Sequence, residues 1–411
     1  MIIINTPKAE TVEAITYLRC DVEDTVLGGK HSLWFSSEKR WGSYFTDEVC
    51  DAFLLVVLQV AMREGQDIQC EAPVSSWLLY NLVNSVIPIL HRIYPNDKQI
   101  KITAEAKDIE FGGTSVGTGC SLGVDSFSTI IDGMSSKFAK EDRLTHLSLF
   151  NSGQHGDSKL DEAESQFFRD LSNLEEPAKA LGLPVVGINS NINQFYKDFR
   201  YPLLQRFVFS TCAFPLAMQK LFKAYIFASS YPIEDFYLSQ EDISHVEYAV
   251  VPLLSTKSTT MRNSNPTYSR VDKTRILSNN AVAQNHLNVC WSHQLYAMYG
   301  TEAFLRNKKR LNCGICDKCL RTLFTLELLG KLDEFNNIFD IPAYMSYRTK
   351  FIVKVLCGHK TDIFYKEIYA LMQETCFKVP ATARLLAFGV KIGAYKLAQK
   401  LFGMTVMPTD K

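Results

Sequence analysis

The sequence predicts an α/β protein built on a doubly wound, mostly parallel sheet. Between residues 115 and 254 short apolar runs alternate with longer segments of helical periodicity, the pattern of parallel strands joined by crossover helices. Several runs end in small polar residues, as at 151–156 and 189–191, and ligands bind at such strand ends in parallel sheets. A cluster of cysteines at 313–319 adds a predicted zinc-stapled segment.

The composition of the chain argues against a membrane-spanning, a secreted or a strongly nucleic-acid-binding protein. The 411 residues can form two or three domains with a large core. Lysine and arginine total 44, as do aspartate and glutamate, so no overall field attracts nucleic acid or membrane. The longest apolar stretch, 52–62, is too short to span a bilayer, and no secretion signal is expected at the N-terminus. Eleven cysteines, three of them close together, favour a reducing compartment, and we expect a cytoplasmic protein.

Residues 1–110 are predicted to form a separate N-terminal α/β domain. Its elements in order are strand 2–4, strand 32–35, helix 47–63, strand 68–72, helix 75–94 and a strand from 101 to 104. Pro88 is expected to kink the second helix, because proline cannot donate the helical hydrogen bond. Trp34, Trp41 and Trp77 are expected to pack within the domain and not to stack on bases.

Residues 111–280 are predicted to form the nucleotide-binding domain, with its boundary at Gly112-Gly113. The predicted strands are 115–120, 144–150, 183–188, 224–228 and 250–254. The predicted helices follow residue 123, span 160–181 and are centred on 207–222. The polar strand ends, which include His155, are candidates for contact with a substrate, although such residues are also ordinary in turns.

The turn after the first of these strands has the composition of an anion site. It contains Ser121, Gly123, Val124, Asp125 and Ser126, and a helical pattern follows. Backbone N–H groups at a helix start and the helix dipole favour a negative charge there. Gly123 allows close approach of the backbone, and the serine hydroxyls can donate to phosphate. Asp125 is expected to cap the helix or to bind a magnesium ion.

The turn resembles the Ser-Gly-Gly-x-Asp-Ser signature of the PP-loop ATP pyrophosphatases, with Leu122 at the second position of the motif. The resemblance implies a PP-loop, HUP-like fold and the cofactors ATP and Mg²⁺. In that family the loop holds the pyrophosphate of ATP while AMP is transferred to a substrate oxygen. By that resemblance Ser121, Gly123, Val124, Asp125 and Ser126 would bind the nucleotide.

Two cations further along the chain suit the same chemistry. Arg270 and Lys273 lie three residues apart and would share one helix face. Together with Asp125 they are the residues expected to take part in the reaction, and the two cations would bind the departing pyrophosphate. A solvated surface pair is the alternative.

The segment 281–334 is predicted to bind zinc. Cys313, Cys316 and Cys319 are spaced so that their sulfurs can surround one ion, and zinc requires four ligands. Cys290 is the expected fourth ligand and His293 is the alternative. We expect a structural role, since four protein ligands leave no position for water.

The order of the two motifs resembles that of the 7-cyano-7-deazaguanine synthases and their relatives over residues 113–330. Trp291-Ser292 match that family, and His293 replaces its first cysteine. The resemblance implies adenylation of a carboxylate on a deazapurine or another small-molecule or protein-borne acceptor, and then formation of an amide or nitrile. Larger relatives occur in bacterial gene clusters that include anti-phage defence systems.

Two other functions are compatible with the sequence. The first alternative is an RNA-modifying PP-loop enzyme, and the second is a non-catalytic ATP-binding subunit of a larger complex.

The C-terminal region, residues 335–411, is predicted to be helical, and the segment 381–402 carries four cations and no acid. That segment would dock on its own domain, on a membrane surface or on a partner. A homo-oligomer and a partner protein bound through 1–110 or the tail are also expected.

Overall fold

The computed structural model describes residues 1–26, 28–153, 160–290 and 310–391. By its internal contacts the chain divides into two compact units. The first comprises Met1–Ser121 and Thr129–Thr267, and the second comprises Leu122–Ser128 and the chain from Tyr268 onward. Each unit is described separately below.

The N-terminal part of the first unit contains strands and helices close to those predicted. The described strands are β1 (Ile2–Ile4), β2 (Lys8–Val12), β3 (Ile15–Asp24), β4 (Gly29–Glu38), β5 (Ile68–Cys70) and β6 (Ile102–Thr103). The described helices are α1 (Lys39–Gly42), α2 (Asp51–Glu64), α3 (Ser76–Asn81) and α4 (Ile87–Ile93). A π-helical turn, Leu82–Val86, joins α3 to α4 just before Pro88, so the predicted interruption of this helix is confirmed.

The later part of the unit supplies alternating strands and helices. The strands are β7 (Ser115–Gly119), β8 (His146–Phe150), β9 (Val185–Ser190), β10 (Phe222–Phe227) and β11 (Thr260–Asn263). The helices are α5 (Val124–Gly133), α6 (Leu160–Asn173), α7 (Glu175–Leu181), α8 (Ile192–Asp198), α9 (Leu203–Ala217) and α10 (Glu247–Val250). The predicted α/β alternation is therefore confirmed for the described residues.

All these strands belong to one mixed sheet that is mostly parallel. Its order is β11-β10-β7-β8-β9-β4-β3-β1-β5-β6, and β2 pairs with β3. The five strands from β7 to β11 are parallel, and counted from β7 their order is 3-2-1-4-5. In sheets of this order the connection after the first strand lies where the strand order reverses, which is the usual place for a ligand.

The N-terminal strands join this sheet through β4, which pairs with β9 in antiparallel fashion. Phe35 lies opposite Ser190, and Ser36 lies opposite Asn189. Hydrogen-bonded strands therefore occur in the same sheet on both sides of the predicted boundary at Gly112-Gly113.

Two predictions about the first unit are wrong, and one hairpin was not predicted. Residues 250–254 are not a strand: Val250 ends α10, and a 3₁₀ turn covers Val251–Leu254. A short buried apolar run does not distinguish strand from helix, and Pro252 cannot donate within a sheet. The hairpin β2–β3 was not predicted, although β3 alternates between buried and half-buried residues. Trp77 is 54% exposed and stacks on the exposed Tyr80, so it does not pack in the core.

The core of the first unit is centred on α2, in which Asp51 to Met62 are all buried. This helix packs against α9, with Gln59 donating to the carbonyl of Gln205 at 2.8 Å. Because the apolar face of α2 is nearly continuous around the helix, the helix is suited to burial inside a large α/β unit.

The second unit is helical in its described part. Its helices are α11 (Arg270–Leu277), α12 (Ala281–His286), α13 (Asp317–Leu328), α14 (Ile341–Gly358), α15 (Ile363–Glu374) and α16 (Ala381–Lys391). Helix α13 packs against α11, α14 and α15, and α14 also contacts α16. The helical prediction for the tail is confirmed as far as 391, and residues 392–402 of the proposed docking segment lie outside the described part.

Among the helices of the described residues, none combines the length and the apolar character that crossing a bilayer requires.

Candidate functional site

The loop between β7 and α5 has an unusual backbone at Leu122. Its φ is 57°, in the left-handed region that non-glycine residues seldom occupy. Glycine adopts this conformation most readily, so a leucine at this position is unusual. The leucine side chain is 7% exposed, and its burial can offset the backbone strain of about 1–2 kcal/mol.

The residues after Leu122 form the first turn of α5. Phe127 donates its backbone N–H to the carbonyl of Gly123 at 3.0 Å. The hydroxyl of Ser126 donates to the same carbonyl at 3.0 Å, so in this structure it bonds within the loop. Ser121, the other serine predicted to bind the nucleotide, is the last residue of the segment Met1–Ser121 in the first unit. The α5 N-terminus thus has an ordered turn with a helix dipole directed at it.

Asp125 lies in this first turn and pairs with two cations of α11. Arg270 Nη2 is 3.0 Å from Asp125 Oδ2, and Lys273 Nζ is 3.0 Å from Asp125 Oδ1. The Lys273 side chain is 1% exposed, whereas the Asp125 side chain is 24% exposed. The predicted sharing of one helix face by Arg270 and Lys273 is confirmed, and the alternative of a solvated surface pair is wrong.

Helix α11 is itself held by a capping box and by a carboxylate at its start. The Ser269 hydroxyl accepts from the Asp272 N–H, and the Asp272 carboxylate accepts from the Ser269 N–H. Glu367 Oε2 accepts from the backbone N–H of Arg270 at 2.8 Å. Because these contacts fix the start of α11, Arg270 and Lys273 are directed at Asp125 by a rigid element.

The charges around Asp125 form a cationic group. Burial would raise the pKa of Asp125, but the charges of Arg270 and Lys273, the bond from Lys273 and the charge of Lys318 together hold that pKa below its usual value. Burial and the charge of Arg270 lower the pKa of Lys318 to about 8, although Asp125 opposes this. Burial and Arg270 likewise lower the pKa of Arg321. Four cations therefore lie within electrostatic reach of one another, and Asp125 pairs with two of them.

Four buried cysteines come together in the same unit. The sulfurs of Cys290, Cys313, Cys316 and Cys319 all lie within 4.8 Å of one another, and those of Cys313 and Cys319 are 3.8 Å apart. Tetrahedral zinc with Zn–S bonds of about 2.3 Å separates its sulfurs by roughly 3.8 Å, so the spacing fits zinc. Three backbone N–H groups lie 3.4–3.5 Å from these sulfurs, as expected of groups that stabilise thiolates.

The predicted grouping of Cys290 with the three clustered cysteines is confirmed, and these four side chains can hold a zinc ion. His293, the alternative ligand, and Trp291-Ser292 lie outside the described residues, as does His155. Cys120 is buried but is not a member of the group.

Asn312 lies between the cysteine group and the loop that contains Leu122, and the sequence did not predict its role. Its Oδ1 accepts from the N–H groups of Val289 at 2.8 Å and Cys290 at 3.1 Å. The neighbouring Asn288 N–H donates to the carbonyl of Leu122 at 2.8 Å. The strained residue of the loop is therefore bonded to the segment that carries the fourth cysteine.

Lys318, Arg321 and Glu367 were also missed as site residues. Lys318 directly precedes Cys319, and Arg321 follows it by two residues. Their position among the predicted zinc ligands is the feature of the sequence that could have identified them. Glu367 had no signal in the sequence, since it reaches the start of α11 from a helix almost 100 residues further on.

The polar ends of β8 and β9, in the first unit, bond to each other. Asn151 Nδ2 donates to Asn189 Oδ1 at 2.7 Å, and Ser190 donates to the Asn151 carbonyl at 2.7 Å. The structure therefore brings these strand ends together as the sequence predicted.

Comparisons of the chain with family models, with curated proteins and with solved structures found no match. Function must therefore be argued from the residues of the site.

We expect the purified chain to bind one zinc ion per molecule. Replacing Cys316 with serine removes one of four thiolates, so bound zinc should fall below about half an equivalent and the melting temperature should drop. Metal analysis and thermal unfolding measure both effects. The exposed Cys376 supplies the matched control, and Cys376→Ser should change neither quantity. Equal zinc contents in Cys316→Ser and the wild type would contradict the assignment.

Replacing Asp125 with asparagine should lower the free energy of unfolding by about 2–4 kcal/mol at neutral pH, because the buried Lys273 loses its partner. Because the pKa of Asp125 is depressed on folding, its contribution is present above the unfolded value of about 4 and is lost as the pH falls through the folded pKa. In urea unfolding, the difference in free energy of unfolding between wild type and variant should be constant down to about pH 5 and should become smaller below about pH 4.

The control for this experiment is Asp132→Asn, which removes a carboxylate from an ion pair with Lys137, a residue that is 66% exposed. That change should cost less than about 1 kcal/mol at any pH. An equally small loss of free energy of unfolding in Asp125→Asn would show that the ion pair of Asp125 with Lys273 does not stabilise the fold.

Proposed function

We propose that the protein binds ATP at the first turn of α5 and transfers its adenylyl group to a carboxylate, with release of pyrophosphate. One observation carries this proposal: Arg270 and Lys273 each bond one oxygen of Asp125 at 3.0 Å beside the start of α5, and the charge of Lys318 acts on the same carboxylate. Two cations bonded to one carboxylate favour an anionic ligand beside them, in a chain whose total charge is zero. A polyphosphate bound at a helix N-terminus is the ligand that such a site suits.

The proposed role of each group follows from its position. The amides at the start of α5 and the helix dipole would contact phosphate oxygens. Lys273 would act as a point charge and Arg270 as a planar fork on the departing pyrophosphate. Asp125 would position both cations, since each of its oxygens is bonded to one of them. Because both oxygens of Asp125 already bond cations of the protein, we do not assign Asp125 as a ligand of magnesium.

The reaction requires no nucleophile from the protein. A carboxylate oxygen of the acceptor attacks the α-phosphorus, the bond between the α-phosphorus and the bridging oxygen breaks, and pyrophosphate leaves with that oxygen. No proton is transferred in this step, so positioning and charge stabilisation account for the catalysis. A magnesium ion bound with the ATP phosphates would supply further neutralisation of charge.

The zinc group would serve as a brace in this proposal. Four cysteine ligands leave no open position on a tetrahedral ion, so its function is structural. Lys318 lies between two of the ligands, and the metal would therefore fix one of the cations beside Asp125. Because all eleven cysteines are free thiols, we also propose a reducing compartment such as the cytoplasm.

The acceptor of the proposed ligase is a carboxylate on a deazapurine or a related group, with later conversion to an amide or nitrile. The support for this finer proposal is the order of the phosphate loop and the cysteine segment, together with the parallel strand order 3-2-1-4-5.

A second candidate is a subunit that binds ATP without turnover. The observation that favours it is Leu122, which carries a side chain and a φ of 57° where the motif has glycine. A fixed, strained loop can hold a nucleotide and still approach the α-phosphate less closely than a glycine loop does.

Pyrophosphate release from ATP in the presence of candidate carboxylates tests the proposal. Lys273→Gln should lower the rate about 100-fold or more, because a buried charge beside the proposed phosphate site is lost. Lys273→Arg, which keeps the charge, should retain more of the rate. Lys366, an exposed lysine of α15, provides the control, and Lys366→Gln should act as the wild type does.

The outcomes separate the candidates. Calorimetric binding of ATP without pyrophosphate release would favour the non-catalytic subunit. Release at an equal rate from wild type and Lys273→Gln would reject the site as the place of reaction.

A further inference from the structure

Helix α16 has apolar residues on two opposite faces, and one of these faces is buried. Ala383, Leu386 and Ala387 are buried, and Cys357 Sγ of α14 lies 3.9 Å from the carbonyl oxygen of Ala387. Through this face the helix packs on α14. A helix that docks on its own domain through one face ordinarily carries polar residues on the other. The opposite face of α16 departs from this rule.

The outer face of α16 consists of Ala381, Leu385 and Phe388. Successive residues of an α-helix are about 100° apart, so these three lie on one side, opposite the buried residues. Leu385 is 67% exposed and Phe388 is 61% exposed. Within the described part of the chain, no other leucine, isoleucine, methionine or aromatic side chain is as exposed. Because these two side chains adjoin on the helix surface, they differ from the single exposed apolar residues that are common on proteins.

The part of the chain that contains α16 carries only positive charge. Residues 375–409 contain no aspartate or glutamate and five cations: Lys378, Arg384, Lys391, Lys396 and Lys400. Helix α14, on which α16 packs, also contains no acidic residue. This concentration of positive charge occurs in a chain whose total charge is zero, so an anionic surface would be attracted to this region and not to the whole protein.

The cations beside the outer face are not neutralised by the protein. Arg384 and Lys378 are exposed, and neither forms an ion pair with a residue in the described part of the chain. The sequence that follows, 392–411, adds three lysines and a single acid, Asp410. The charge of this region is therefore complementary to an anionic partner outside the chain.

Anionic lipids provide both the charge and the apolar environment that this face requires. The apolar side chains of an interfacial helix enter the boundary between headgroups and acyl chains, and flanking cations are attracted to the anionic headgroups. Arg384 directly precedes Leu385 and lies four residues before Phe388, so it is at the side of the outer face. Its long side chain can reach the headgroups while both apolar side chains are inserted.

We propose that the outer face of α16 docks the protein on a membrane leaflet that contains anionic lipids. Leu385 and Phe388 insert between the headgroups, and Arg384 and the lysines of 375–409 neutralise lipid phosphates. The inference goes beyond the proposed function, and its test is independent of it, because none of these residues takes part in the nucleotide site.

Cosedimentation of the zinc-loaded full chain with lipid vesicles tests this inference. The chain should bind vesicles of phosphatidylcholine with about one third phosphatidylserine about tenfold or more tightly than vesicles of phosphatidylcholine alone. Raising the salt concentration should weaken binding to the anionic vesicles, because salt screens the attraction between exposed charges.

Two variants of α16 separate the apolar contribution from the contribution of charge. Leu385→Gln combined with Phe388→Gln should lower the affinity for anionic vesicles about tenfold or more, because the apolar surface that enters the lipid is lost. Arg384→Gln should lower the same affinity about three- to fivefold. Because all three side chains are exposed, zinc content and melting temperature should equal those of the wild type.

The matched controls are exposed residues of the first unit. Phe168→Gln combined with Leu204→Gln alters an exposed phenylalanine of α6 and an exposed leucine of α9. Arg92→Gln alters an exposed arginine of α4. None of these changes should alter the affinity for anionic vesicles.

Three results would overturn the inference: no binding to vesicles, equal affinity for the two kinds of vesicle, and binding that does not respond to the changes at Leu385 and Phe388. A dimer in sedimentation velocity that requires Leu385 and Phe388, without binding to vesicles, would identify a second copy of the chain as the partner and would overturn it as well.

Discussion

The ion pair between Lys273 and Asp125 is the contact on which the site depends. A lysine that is 1% exposed requires an anion beside it, and Asp125 Oδ1 at 3.0 Å supplies it. The pair joins the first turn of α5 to α11 across 148 residues of sequence. Because Arg270 bonds the other oxygen of the same carboxylate, the two cations are held at a helix N-terminus in fixed positions.

The cysteine cluster extends this constraint to the other cations. Cys316 and Cys319 flank Lys318, and Arg321 follows on the same helix, α13. A metal bound by the four thiolates would fix the beginning of α13 more firmly than packing alone, because its binding free energy would be coupled to folding. Asn312 and Asn288 carry the connection from the cysteines to the carbonyl of Leu122. The loop, the helix cations and the metal ligands thus form one bonded network in the second unit.

The sequence predicts those parts of this arrangement that follow from local spacing. Cysteines at i, i+3 and i+6 place three sulfurs close together in most backbone conformations, and a residue pair at i, i+3 shares a helix face. Arg321 and Glu367 were not predicted, since a buried cation or carboxylate differs from a surface one only in its tertiary surroundings. Residues 250–254 were misread because a buried apolar run fits a strand and a turn equally well. Leu122 has a left-handed backbone, which a leucine in the sequence does not predict.

Titration of pyrophosphate into the zinc-loaded chain tests the central claim most directly, because it measures the cationic site without requiring the correct acceptor. Binding to one site per chain, weakened about tenfold or more in Lys273→Gln and restored in part in Lys273→Arg, is the result that the account predicts. A wild-type chain that carries its zinc, unfolds cooperatively and still binds no pyrophosphate would contradict it.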